Sequence, residues 1–220
     1  MDDFALLRQR MVDNQIRPSE VTDSQVIQAF LSVPREKFVA PDQRPFAYGD
    51  RDVPLSPWAP ARRMMPPVQL ARLVQALEIK PGARVLVVAG ATGYSAAILE
   101  MLGADVVLLE EDEALAGAAQ GILAETGART APIVKSQHVR GHASGAPYDA
   151  ILIDGAIEVL PEAIAGQLAL GGRVAAIERD DRLSRAMIYE RVGDDVTKWP
   201  LFDAWLDVLP GFERAREFVF

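Results

Sequence analysis

The sequence predicts an α/β fold: a doubly wound, mostly parallel sheet with a C-terminal antiparallel hairpin and an N-terminal helical cap. Two observations carry this expectation. Continuous apolar runs ("ARVLVVAG", "DVVLLE", "YDAILIDG", "RVAAIER") alternate with helical segments, the pattern of strands buried on both faces of a parallel sheet. Beyond them, "AMIYERV", "GDD" and "TKWPLFDAWLDVL" read as two extended stretches about a Gly-Asp turn, an antiparallel hairpin at the sheet edge.

Taken in order, Phe4 to Gln15 carries apolar residues at Leu6, Leu7 and Met11, the spacing of a short amphipathic helix. A second helix begins after Thr22, with Asp23 at its start, and runs through "SQVIQAFLSV" to Pro34. From Arg35 to Pro67 the chain is rich in proline and predicts loops with short extended pieces. A helix follows from Val68 to about Leu77. Within the alternating region "YSAAILEML" and "EALAGAAQGILAETG" predict helices, "APIVKS" a short strand, and "LPEAIAGQLALGG" a helix ending on its glycines. The expected division is a helical and proline-rich cap over 1–67 and a core over 68–220.

Composition limits the chemistry. The 220 residues are half hydrophobic and one quarter charged, enough for one α/β domain with an appendage. A net charge of −8 without a basic block argues against nucleic acid as a partner. The absence of cysteine excludes disulfides, thiolate nucleophiles and cysteine metal sites. His138 and His142 are the only histidines and have no third ligand nearby, so no metal site is expected. There is no signal pattern and no run long enough to span a membrane. A cytoplasmic protein without a membrane partner is expected, and a homo-oligomer is compatible with the sequence.

A doubly wound sheet closed by an antiparallel hairpin is the outline of class I (Rossmann-like) methyltransferases more than of nicotinamide dehydrogenases. Specific phrases sharpen it. "RQRMVDNQIRP", "TDSQVIQAFLSVPREKFV" and "FAYGDRDVPL", followed by "IKPGARVLVVAGATGYSAAILEMLGADVVLLEED" and "YDAILIDGAIEVLPEAIAGQLALGGRV", resemble the protein-L-isoaspartate O-methyltransferases. That resemblance implies S-adenosylmethionine as cofactor and a carboxylate of a protein or peptide as methyl acceptor.

The resemblance also implies site residues. Ala89, Gly90, Ala91 and Gly93 match the loop that approaches the methionine end of the cofactor, with Ala89 and Ala91 standing at the first two family glycines. Val87 stands where the family has a carboxylate within reach of the cofactor's amino group. Glu110 matches the carboxylate for the ribose hydroxyls. Ser136-Gln137-His138 stands at the family's Gly-Asp-Gly beside the adenine, putting Gln137 in the cofactor set. Asp154, before Gly155 at the end of a central strand, joins it from the position where ligands bind open α/β sheets. Met65 replaces the serine of the Thr-Ile-Ser-x-Pro phrase on the acceptor side, and Arg62 and Arg63 are the candidate acceptor contacts.

Simpler readings stand beside these. Gly90 and Gly93 also fit a ligand-free turn, Glu110 a solvated charge run with Glu111 to Glu113, and Asp154 a carboxylate at a helix N-terminus. Arg62 and Arg63 also fit a solvated loop, with Met64 and Met65 filling the core. Phe202, Trp205 and Leu206 fit core packing of the edge hairpin first and an exposed partner surface second. The departures from the family pattern fall on ligand-facing loops. Two functions therefore follow: an S-adenosylmethionine-dependent carboxyl methyltransferase of the isoaspartate-repair type, or a family member without catalysis that serves binding or assembly.

Overall fold

A computed structural model describes residues 3–55, 57–127, 132–180 and 182–214. The N-terminal segment opens with α1 (Asp3–Met11), continued by a wide helical turn over Val12–Ile16. Helix α2 (Ser24–Ser32) starts where Asp23 accepts hydrogen bonds from the amides of Gln25 and Val26 at 2.7 and 3.1 Å, an N-cap contributing about 1 kcal/mol. Two short helical turns, Arg35–Phe38 and Pro41–Phe46, lead into a hairpin of β1 (Val53–Leu55) and β2 (Ala59–Met64). Pro66 then precedes α3 (Pro67–Ala76), since proline at a first helical position gives up no needed donor.

The sheet comprises β3 (Arg84–Val88), β4 (Asp105–Leu109), β5 (Ile133–Val134), β6 (Tyr148–Ile157), β7 (Leu168–Arg179), β8 (Ser184–Val192) and β9 (Asp195–Asp203). Its order is β5-β4-β3-β6-β7-β8-β9, parallel from β5 to β7 and antiparallel through β8 and β9. Helices α4 (Tyr94–Met101) and α5 (Glu113–Thr126) connect its first strands. Val85 and Val87 join one buried cluster with Ala150 and Leu152, while Leu86 and Val88 join the other with Ile151 and Ile153. Each such side chain contributes roughly 1.5–3 kcal/mol on burial. That two-sided burial is why these strands read as unbroken apolar runs.

Two expectations change. The helix expected over "LPEAIAGQLALGG" is only α6 (Glu162–Ala165), and Leu168 already pairs with Tyr148 as the start of β7. The glycines serve a close strand approach instead: a Cβ on Gly172 would lie 2.8 Å from the Tyr148 carbonyl oxygen. Nor do Phe202, Trp205 and Leu206 pack as one unit. Leu206 is buried, Trp205 is 59% exposed with the Arg179 guanidinium 3.9 Å over its ring, and Phe202 lies under Arg72.

The connections run outward in both directions from β3 and β6, so the sheet's topological switch point lies between these strands. Open α/β sheets bind ligands in the crevice beyond their carboxyl ends at such a point. Here β3 and β6 stay paired only to Val88 and Ile153. Beyond that the register of β6 on β7 slips between Leu152 and Ala156, and Ala156 bridges Val208 of the C-terminal segment. Asp154 sits in this slip, with the loop after β3 beside it.

Candidate active site

The loop from Ala89 to Gly93 is held by its backbone. Ala89 and Ala91 adopt φ of +58° and +52°, and Gly93 adopts +92°. The two alanines lie in the left-handed region, which an L-residue enters at a cost of about 1–2 kcal/mol, so the loop keeps a conformation suited to glycine. Gly90 has a different requirement: a Cβ there would meet Leu108 Cδ1 at 2.1 Å and Val87 Cγ1 at 2.7 Å. Alanine thus occurs where the dihedral alone favours glycine, and Gly90 remains where packing excludes a methyl. Thr92 ties the loop to the cap by donating to the Phe38 carbonyl at 2.7 Å.

Glu110, just past β4, is completely buried, which rules out the solvated reading. Its Oε2 accepts from the Ala91 amide at 2.9 Å, and its Oε1 accepts from the Asp112 amide at 3.1 Å. His138 Nε2 stands 3.1 Å from Oε1, and Arg62 Nη2 stands 3.6 Å from Oε2. Burial raises the carboxyl pKa, but the His138 hydrogen bond and the Arg62 charge outweigh it, so Glu110 titrates below its ordinary value. His138 is itself buried, whereas the neighbouring Gln137 side chain is exposed. The third loop therefore reaches Glu110 through the histidine.

Arg62, on β2, donates from Nη2 to the Ala89 carbonyl at 2.8 Å, so its guanidinium lies across the loop and in front of Glu110. Arg63 points to the other side of the hairpin and pairs with Asp52. Met65 is buried in the core, and its carbonyl oxygen accepts from Arg35 Nη2 at 2.7 Å. Arg35 is completely buried and also donates from Nε to the Ala47 carbonyl at 2.6 Å. Its guanidinium stands 4.8 Å over the ring of Tyr94, whose hydroxyl is pushed up to about 12 by burial. The "VPREKF" phrase thus supplies a cation that fastens the segments at 47 and 65 under the first residue of α4. Nothing in the sequence assigns that role to Arg35; its phrase carries only the resemblance to the family.

A cleft of about 430 Å³ opens in front of Arg62, lined by Trp58, Arg63, Asp112, Asp154 and the segment from Leu206 to Pro210. That volume lies in the range of roughly 300–1,000 Å³ typical of small-molecule sites. Leu209 lies over Gly155, where a Cβ would meet its side chain at 2.6–2.8 Å. The Asp154 carboxyl is raised by burial, an effect only partly offset by the nearby Ser95 hydroxyl and the Arg62 and Arg35 charges. Among the described residues the Ser95 hydroxyl, buried in the first turn of α4, meets no partner at full hydrogen-bond geometry and lies beside Asp154. The structure thus clusters Ala89, Ala91, Glu110 and Arg62 with Asp154, sets Arg63 on the cleft wall in a pair with Asp52, and leaves the Gln137 side chain exposed.

Comparisons with known proteins agree with this architecture. Residues 7–200 match the sequence profile of the family described as Protein-L-isoaspartate(D-aspartate) O-methyltransferase. A protein-L-isoaspartate O-methyltransferase of Koribacter versatilis is 36% identical over 171 residues, 78% of this chain and 76% of that relative. Protein-L-isoaspartate O-methyltransferase 1 of Rhodopseudomonas palustris is 34% identical over 212 residues, 96% of this chain and 85% of its own. A solved protein-L-isoaspartate O-methyltransferase superposes with a TM-score of 0.81 at 22% identity, covering 93% of this chain and 66% of that one. A Plasmodium falciparum structure described as such a methyltransferase in complex with S-adenosyl-L-homocysteine gives 0.77 at 18% identity, covering 95% and 99%. At those identities the two structures speak to the fold.

Proposed function

The chain belongs to the protein-L-isoaspartate O-methyltransferase family, and from that premise we propose that it transfers the methyl group of S-adenosylmethionine to a carboxylate of a protein or peptide. The observation that carries this reading is the crevice at the switch point, where a left-handed loop at Ala89 and Ala91 is tied through the Ala91 amide to Glu110 of the next strand.

The residues present fit the cofactor. The loop backbone keeps its glycine-like turn despite the alanines. The buried Ser95 hydroxyl at the start of α4, beside Asp154, makes no full hydrogen bond among the described residues, and the cleft in front of Arg62 has the volume of a small-ligand site. Glu110 would hold the ribose hydroxyls through Oε2, the oxygen that Arg62 faces from beyond hydrogen-bond distance. A hydroxyl donor arriving there takes the place of that guanidinium. His138 and the Asp112 amide keep Oε1 fixed meanwhile. Asp154 would complete the cofactor set from β6.

When bound, S-adenosylmethionine supplies an electrophilic methyl group on a sulfonium. The acceptor carboxylate is ionised at neutral pH, so the chain need not remove a proton from it, and Met65 at the family serine position deprives the reaction of no base. Catalysis rests on bringing the two reactants together in line. Arg35 does this indirectly by fixing the segments at 47 and 65. Trp58 and the 206–210 segment line the cleft where the acceptor enters, with Arg62 and Arg63 on the hairpin as its candidate contacts. The proposed setting is the cytoplasm; among the described residues no helix is long and apolar enough to cross a membrane.

The test is incubation of the protein with S-adenosylmethionine and an isoaspartyl peptide, followed by mass spectrometry. Formation of the peptide methyl ester together with S-adenosylhomocysteine is expected. Absence of both from isoaspartyl peptides and from a panel of aspartyl and C-terminal carboxylate peptides contradicts the reading.

A further inference from the structure

We propose that Asp154 anchors the cationic amino-acid end of the cofactor, binding its α-ammonium group; the assignment rests on the cofactor reading above. Of the carboxylates at the carboxyl ends of β4 and β6, Glu110, Glu111 and Asp112 are already engaged by the chain, Glu111 by accepting from the His138 amide at 3.0 Å. Glu110 accepts from two backbone amides and faces His138 and Arg62. Asp112 caps α5, accepting from the amides of Ala114 and Leu115 at 2.9 and 3.0 Å. Asp154 has none of these arrangements. Among the described residues no cation lies within 4 Å of it, yet it is partly buried at the wall of the cleft.

Its position is set by the fold. The slip between Leu152 and Ala156 places it one residue past the last β3–β6 pair, Val88 with Ile153, and therefore next to Ala89. The strand on the other side of the crevice offers no competitor, because Val85 to Val88 are all buried and apolar. A carboxylate withdrawn from water with only the Ser95 hydroxyl beside it and no cation in contact is costly, and an ammonium arriving from a ligand offsets that cost. A divalent cation does not fit, since no group of three acidic or histidine side chains able to hold a metal occurs among the described residues. An α-amino acid attached to a nucleoside fits, with its nucleoside toward Glu110 and its amine toward Asp154.

The experiment compares two ligands on the intact protein by calorimetry: S-adenosylhomocysteine, and 5′-methylthioadenosine, which carries the nucleoside and sulfur but no amino acid. Asp154→Asn is expected to weaken S-adenosylhomocysteine about tenfold or more, the scale of a lost hydrogen bond to a charged group, and to leave 5′-methylthioadenosine unchanged. Asp154→Glu, which keeps the charge, is expected to retain most of the preference for the ligand with the amine. Equal binding of S-adenosylhomocysteine by wild type and Asp154→Asn overturns the assignment, as does an equal loss of both ligands. If the wild type binds neither ligand, the cofactor reading itself falls, and the assignment with it. Wild-type binding without an Asp154 effect removes the assignment alone.

Discussion

Arg62 stands in front of Glu110, its Nη2 3.6 Å from the carboxylate and hydrogen-bonded to the Ala89 carbonyl at 2.8 Å. The guanidinium is close enough to stabilise a buried carboxylate and too far to satisfy its lone pair. It fills the space through which a ligand hydroxyl reaches Glu110. Removing it is expected to help the ligand. Arg62→Gln should tighten S-adenosylhomocysteine about fivefold, corresponding to the ~1 kcal/mol upper range of a partly exposed ion pair. Calorimetric titration of both proteins checks this, and weaker binding by the variant would make Arg62 a ligand contact.

The loop makes a contrasting prediction for its glycine and alanine positions. Gly90→Ala drives a methyl into Leu108 and Val87 and should cost about 1–3 kcal/mol, as overpacked sites do. Ala91→Gly relieves a left-handed alanine but adds chain entropy to the unfolded state. These effects, each about 1 kcal/mol, oppose one another, so its net change should stay within about 1 kcal/mol. Urea unfolding midpoints rank the two.

Arg35 should be intolerant of change. Its guanidinium donates to the carbonyls of Ala47 and Met65 from complete burial, and a methionine there leaves both acceptors unpaired. Arg35→Met is expected to cost about 3 kcal/mol, roughly 1–3 kcal/mol for each stranded acceptor. Arg35→Lys, with its single nitrogen, should recover only part. Chemical denaturation gives the values, and a stable Arg35→Met protein would show that the segments at 47 and 65 do not depend on it.

Glu110 and Asp154 predict opposite pH dependences. The native pKa of Glu110 is depressed, so its stabilising contribution is present above the unfolded value of about 4.3 and is lost as pH falls through the native value. The native pKa of Asp154 is raised. Its stabilising contribution is present below about 3.9 and is lost as pH rises through the native value, leaving the ionised form opposed to folding at pH 7. Glu110→Gln should therefore destabilise most at neutral pH, and Asp154→Asn should stabilise there, both differences shrinking on acidification. Unfolding free energies of the variants between pH 3 and 7 test the signs.

Much of this arrangement is legible in the sequence because it depends on local pattern. The apolar runs announce the parallel strands, and Asp23 marks the start of α2. The edge hairpin is announced by its Gly-Asp turn, between β8 and β9. The loop's resemblance to a cofactor turn is equally local. What could not be read depends on contacts between distant segments. The commitment of Glu110 to Arg62 spans 48 positions by their numbers and that to His138 spans 28. The strand that replaces the helix expected over 160–172 is decided by the pairing of Leu168 with Tyr148, not by propensity. Grouped with Phe202 and Leu206, Trp205 reads first as edge-hairpin core, yet it lies at the surface under Arg179.

The most direct test of the account is calorimetric titration of the folded protein with S-adenosylhomocysteine. Saturable one-site binding in the micromolar range, about −8 kcal/mol, is expected, with a matching rise in melting temperature. No heat and an unchanged melting temperature up to millimolar ligand would contradict it.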